Sequence, residues 1–279
     1  MVSFEHSIGR FGAAGPLPQV SARRPQYQRA VRSFRRRYGC ARYPALCARG
    51  SRAHIWLTGW NEPNEPSQPT GVVVLPDGTT DPDSGEPVRA ALYWRALDRE
   101  CRKPTPEFIP CRAVAGDFLD DRRLLPPSYL RAYIKTAGAS PRVWAWHAYG
   151  AAYSRDVGLL PTLLRWTRAK RGRSPELWLT EQGGVMQISG CATCPLFVPH
   201  PDARGEPDEA AQADDLRWLL DDLLPSLPER DRARVTRFYL YQWKGARHWD
   251  SGLVDFEDGH QRPSYCVFAT RLGRPNPYC

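Results

Sequence analysis

Continuous apolar runs and helical stripes alternate along the whole chain. Val2–His6 and Ile55–Gly59 read as short strands, and Phe108–Ala115, Arg142–Trp146, Leu177–Thr180 and Arg237–Gln242 read as further ones. Between them apolar residues recur at three- and four-residue spacing, the period of an amphipathic helix. Tyr27, Ala30, Val31 and Phe34 mark a helix over Pro25–Tyr38, and Leu216, Leu219, Leu220 and Leu223 form one stripe of a helix over Glu209–Leu224. Val88–Arg102, Ser128–Thr136 with Ser128 as N-cap, Leu159–Lys170 and Ser264–Leu272 complete the predicted helices. Gly71–Pro87 and Gln182–Pro207 are rich in Gly, Asp and Pro and are predicted loops. Strands that alternate with helices imply parallel βαβ units, whose strands are covered on both faces and read as unbroken apolar runs. The expected class is α/β with six parallel strands, one domain over residues 1–279, and no internal repeat.

Polar residues cluster where these strands stop. Glu62, Asp117, His147, Glu181 and Trp243 each fall just after a predicted strand. In a parallel barrel, active sites gather at the C-terminal strand ends. Two carboxylates far apart in sequence but both at strand ends, Glu62 and Glu181, are what a two-carboxylate glycosidase requires. One protonates the leaving oxygen, and the other attacks the sugar carbon or activates a water.

Composition narrows the alternatives. The chain has 279 residues, 42% hydrophobic and 25% charged, which suits a globular domain with a sizeable core. No apolar run approaches the roughly 20 residues needed to cross a membrane, and the first residues lack the basic-then-apolar order of a signal peptide. The net charge is +9, and only four of the 39 basic residues are lysine. The arginines are scattered apart from Arg35, Arg36 and Arg37, which argues for a solvated surface rather than a nucleic-acid face. Eight cysteines fall into near neighbours: Cys40 with Cys47, Cys101 with Cys111, Cys191 with Cys194, Cys266 with Cys279. An even set indicates disulfides and an oxidising compartment, with connectivity left open. Cys191 and Cys194, spaced as CxxC, also suit half of a zinc site or a redox pair.

Trp60-Asn61-Glu62-Pro63-Asn64, His147-Ala148-Tyr149, Leu179-Thr180-Glu181 and Tyr241-Gln242-Trp243 together resemble the clan A glycoside hydrolases, over most of the chain. That resemblance implies a retaining enzyme on a (β/α)8 TIM barrel, with the acid/base glutamate after an asparagine at the end of strand four and the nucleophile ending strand seven. Aligned so, Val2–His6 corresponds to strand three, and strands one and two of the barrel are absent from this chain. An N-terminal extension carrying a signal peptide is then expected, and with it an extracellular location.

Residue by residue, the resemblance implies Glu62 as general acid/base and Glu181 as nucleophile. Glu181 is expected to stay ionised with help from Tyr149. Asn61 is expected to bind the sugar 2-hydroxyl and Trp243 to floor the sugar subsite. His147 either contacts a hydroxyl, braces Glu62 or is a satisfied strand-end histidine. Asp117 either binds sugar hydroxyls or caps the segment that follows, and His6 is a candidate for lining the cleft. The implied substrate is an oligo- or polysaccharide with a β-glycosidic bond, cleaved by a monomer with no cofactor, no metal, and no nucleic-acid or membrane partner. The alternative is an inactive carbohydrate-binding remnant of such an enzyme.

Overall fold

The structure is a computed structural model; it describes residues 2–3, 20–47, 54–66, 68, 70–77, 79–103, 108–139, 141–169, 172–188, 208–247, 249–274 and 279. In chain order its elements begin with β1 (Val2–Ser3), α1 (Val20–Arg37), α2 (Pro44–Cys47), β2 (Ile55–Thr58), β3 (Val73–Val74), β4 (Thr80–Asp81) and α3 (Pro87–Cys101). Next come β5 (Cys111–Leu119), α4 (Pro127–Ala137), β6 (Val143–His147), α5 (Tyr149–Ser154), α6 (Leu160–Trp166) and β7 (Glu176–Gln182). The chain closes with β8 (Gln187–Ile188), α7 (Glu209–Asp221), α8 (Glu229–Arg232), β9 (Val235–Leu240), β10 (Trp249–Asp250) and α9 (Pro263–Arg271).

Six strands form one sheet in the order β1-β2-β5-β6-β7-β9, and every neighbouring pair is parallel. This is the α/β arrangement of a partial (β/α) barrel. Each strand is followed by helical chain that returns across the sheet, as parallel pairing requires. Alternate residues of a strand face opposite sides of the sheet. Leu57, Ala113, Ala115, Trp144, Trp146, Leu177 and Leu179 join the helices in the main core. Val114, Val143, Ala145 and Trp178 form a smaller cluster on the other face, with Trp56 and Tyr239 packed against it. Trp56 and Trp178 meet edge to face at 4.5 Å there.

The hydrophobic pattern locates most elements but misplaces several limits. α1 begins at Val20, five residues before the expected start. α4 begins at Pro127 with Pro126 as N-cap, so Ser128 lies inside its first turn and caps nothing. Proline suits that first turn because its missing N–H would have no partner in the helix. The 71–87 loop contains a short hairpin in which β3 pairs antiparallel with β4. α5 was not expected, and α6 ends at Trp166, short of Lys170. β5 and β7 both run past their predicted ends, carrying Asp117 and Glu181 inside the sheet rather than beyond it.

Among the described residues three disulfides join near neighbours: Cys40–Cys47, Cys101–Cys111 and Cys266–Cys279. The Cys101–Cys111 bridge ties the end of α3 to the start of β5. These bridges point to an oxidising, extracellular setting. Cys191 and Cys194 lie outside the described residues. Among the described residues no helix is long and apolar enough to cross a membrane.

Candidate active site

The site is built where β6 meets its two neighbours. On one side the β5–β6 register shifts between Gly116 and Phe118, leaving Asp117 as an extra residue. On the other, Trp146 pairs with Leu179 but His147 pairs with Glu181, leaving Thr180 as the extra one. Such bulges re-aim side chains. Gly116 and Asp117 both have positive φ, 86° and 67°. A Cβ on Gly116 would lie 2.8 Å from the Ala145 carbonyl oxygen, so this turn needs glycine. The two bulges aim Asp117 and Thr180 at each other, and the Thr180 hydroxyl donates to the Asp117 carboxylate at 2.7 Å.

His147 stands at the centre and is fully buried. Its Nε2 lies 3.0 Å from Asp117 Oδ1 and its Nδ1 2.9 Å from Glu62 Oε1. Glu181 Oε2 is 3.7 Å from the same Nδ1. Burial works against charge on the ring, but Glu181, Asp117 and Glu62 outweigh it and hold the imidazole well above its ordinary value. A carboxyl oxygen thus faces each ring nitrogen. Burial pushes the Glu181 carboxyl up to about 7; His147 pulls it down, Glu62 and Asp117 push it further up, and the Tyr149 hydroxyl pulls it down.

Glu62 belongs to no strand. Its φ is 42°, in the left-handed region that side chains seldom adopt, and its N–H donates to the Asp117 carbonyl at 3.0 Å. The following turn is pinned by Asn64. The Asn64 amide donates to the Leu119 carbonyl at 2.9 Å and accepts from the Leu119 N–H at 3.1 Å. The Trp-Asn-Glu-Pro-Asn run is therefore fastened to β5 at two points, Asp117 and Leu119. Asn61 is half-buried beside Glu62.

Tyr149 is buried at the start of α5, its ring 5.0 Å edge-on to Trp249, and burial, Glu181 and Glu62 hold its hydroxyl well above the ordinary value. Asp117 is 1% exposed and His147 0%, and His147 meets the Glu62 carboxyl, the brace that was one of its expected roles. Their carboxylate and ring are consumed by each other, by Thr180 and by Glu62. Trp243 is exposed and packs edge-on against Tyr265 at 5.5 Å. Tyr241, two residues earlier and partly exposed, is the aromatic that senses the site. Burial, Glu181 and Glu62 raise its hydroxyl, and His147 lowers it. Tyr241 follows β9 and entered the sequence reading only as part of the Tyr241-Gln242-Trp243 motif, without a role of its own. His6 lies outside the described residues.

Glu62, His147 and Glu181 offer ligand atoms within 4.8 Å of one another, close enough to hold a cation. Glu209, Asp255 and His260 do the same at the surface, where Asp258 and Arg262 already bond His260 and Asp255.

No family model matches the sequence. No curated protein matches it either. The fold does have known counterparts. A β-xylosidase from Caulobacter crescentus CB15 superimposes with a TM-score of 0.50 at 14% identity, covering 91% of this chain and 47% of the xylosidase. Fungal β-1,4-galactanases superimpose with a TM-score of 0.53 at 11% identity, covering 92% of this chain and 71% of the galactanase. The fold is that of the clan A glycoside hydrolases. The chain spans about half the length of the xylosidase.

Proposed function

We propose that this chain hydrolyses β-glycosidic bonds with retention, Glu62 serving as acid/base and Glu181 as nucleophile. The observation that carries the reading is the approach of the two carboxyl groups to one another: one oxygen of each lies within 4.8 Å of the other, and both face the same His147 nitrogen. Retaining glycosidases hold their carboxyls about 5–5.5 Å apart, whereas inverting ones leave about 6.5–9.5 Å for a water. In the first step Glu62 gives its proton to the glycosidic oxygen as the C1–O bond breaks, and a Glu181 oxygen bonds to C1. In the second, water gives a proton to Glu62 and attacks C1, releasing Glu181 as carboxylate. Asn61 beside Glu62 serves the 2-hydroxyl, Tyr241 and Trp243 offer aromatic faces to the sugar, and Tyr149 steadies the nucleophile. No metal or organic cofactor takes part in either step.

The substrate class is a β-linked oligo- or polysaccharide, and the disulfides favour a secreted enzyme. A residual remnant of a barrel would bind sugar without cleaving it. Incubation with a panel of aryl β-glycosides, followed by proton NMR of the first anomer released, tests the reading. A β-anomer is expected. An α-anomer as first product, or binding without hydrolysis across the panel, would overturn it. The pH profile adds a second check. Glu181 attacks only when ionised, so kcat is expected to rise as pH increases through about 7.

A further inference from the structure

α3 packs between α1 and α4, and its outer face carries cations at helical spacing. Arg95, Arg99 and Arg102 fall at i, i+4 and i+7, on one stripe, and all three are exposed. With Lys135 of α4 they line a cleft of about 430 Å³ between the two helices. Arg95 and Arg99 also line a smaller cleft of about 100 Å³ beside Gln28 of α1, so this pair stands on a ridge between two clefts. Asp98 is the acid in the larger lining, and Arg102 holds it at 2.8 Å. Glu100 is buried and taken by Arg32 and Lys103. Among the described residues Arg95, Arg99 and Lys135 have no ion pair, hydrogen bond or ring contact. A helix dipole favours cations in the last turn, which accounts for Arg99 and Arg102 but not for Arg95 in the middle of α3. Like charges at i, i+4 work against a helix, and a bound anion would relieve them.

We infer that the cleft between α3 and α4 binds the acidic groups of a polysaccharide, on a face remote from the two glutamates. α3 ends at Cys101, which the disulfide fastens to Cys111 at the start of β5. The basic stripe therefore lies toward the N-terminal strand ends, whereas Glu62 and Glu181 lie toward the C-terminal ones. Guanidinium forks match the oxygens of a carboxylate or a sulfate ester with paired hydrogen bonds. Arg95 and Arg99 are one turn apart, about 6 Å along the helix, so a chain bearing repeated acids meets both. Nucleic acid is the other common polyanion, but its single strands are held by stacking on aromatic rings. Trp94, the aromatic in this lining, is 1% exposed and offers no such platform. The binding stands on the cleft alone. Its use in turnover, keeping a polymeric substrate at the enzyme, rests on the glycosidase reading.

Arg95→Gln with Arg99→Gln removes two charges from the ridge, and Lys135→Gln removes one from the opposite wall. Arg230→Gln with Arg232→Gln removes two exposed charges from α8 and controls for net charge. Affinities of the full chain for polygalacturonate, dextran sulfate and neutral dextran are measured by titration calorimetry at low and moderate salt. Wild type is expected to bind one or both acidic polymers, more weakly as salt rises, and not neutral dextran. The ridge variant should weaken that binding about tenfold and Lys135→Gln about threefold, with the α8 variant near wild type. Binding of polygalacturonate assigns a carboxylate to the cleft, and binding of dextran sulfate assigns a sulfate. No binding of either, equal losses in the ridge and α8 variants, an unchanged Lys135→Gln, or tighter binding of single-stranded DNA would overturn the proposal. Hydrolysis of aryl β-glycosides separates this inference from the catalytic one, since those substrates are too small to span both sites. The ridge variant should hydrolyse them as wild type does. A wild type that holds acidic polymer through the ridge but hydrolyses no glycoside would overturn the glycosidase reading and leave the cleft standing.

Discussion

Glu62 and Glu181 reach the same spot by different constructions. Glu181 is an interior residue of β7, which is paired with β6 on one side and β9 on the other. Its place is set by sheet register, and the Thr180 bulge turns it toward His147. Glu62 stands on a loop with a left-handed backbone, held through its own N–H by Asp117 and through its carboxylate by His147. A ladder is a shared restraint that no single side chain removes. A loop fastened at a few hydrogen bonds yields when one of them is lost. The chemistry of Glu181 should therefore be separable from its position, and that of Glu62 should not.

The largest effect is expected at the strand side. Glu181→Gln should lower kcat by more than about 10^4-fold, beyond what general acid–base catalysis alone supplies, with the fold intact by circular dichroism. The same variant sharpens the comparison through stability. The folded Glu181 value is about 7 against an ordinary 4.5, so ionising it costs stability as pH rises between those values. The variant should therefore gain in Tm over wild type across that window, and thermal scans at pH 4.5 and 8 would show it. A lower Tm at both pH values would mean that the strand depends on the carboxylate for its place.

Glu62→Ala comes next. It should cost about 10^2–10^4-fold on substrates with poor leaving groups and far less on activated aryl glycosides, which leave without a proton. Equal losses on both substrates would show that the loop itself had moved. His147→Asn follows, with about a hundredfold loss in kcat from misplaced carboxylates. It should also cost about 3–5 kcal/mol in stability, measured by urea unfolding, because Asp117 is left as an uncompensated buried charge. The wild-type contribution has a defined window. The folded His147 value lies above the ordinary 6.5, so its stabilisation is full below 6.5 and is lost as pH rises through the folded value. The smallest effect on turnover is expected far from both glutamates. Replacing Cys101 and Cys111 by serine opens a loop of sequence separation 10 and should cost about 2–3 kcal/mol of stability while leaving kcat near wild type. A large kcat loss there would show that the site depends on the α3–β5 joint.

Much of this was legible in the chain. Six parallel strands, the helices between them and the two glutamates near strand ends follow from apolar runs and their spacing, because a strand buried on both faces has little choice of residue. Strand ends were less legible. The run Cys111–Leu119 continues through Gly116 and Asp117, two residues that usually stop a strand. The bulge lets them stay, and bulges depend on the neighbouring strand. The burial of Asp117 and His147 was not legible for the same reason. A polar residue after an apolar run looks exposed, yet both are buried because β5, β6 and β7 close over them. Tyr241 stood in the Tyr241-Gln242-Trp243 motif but, as one aromatic among aromatics, drew no role of its own.

The sequence by itself determined the class of the fold, the near-neighbour grouping of the cysteines and the choice of two strand-end glutamates as the proposed pair. These rest on local pattern and residue type, which survive without knowledge of the neighbours. Only the tertiary structure decided how close the glutamates come, that His147 lies between them, and that burial raises Glu181 to about 7. Distance and desolvation are properties of residues brought together from distant parts of the chain, and no single stretch of sequence contains them.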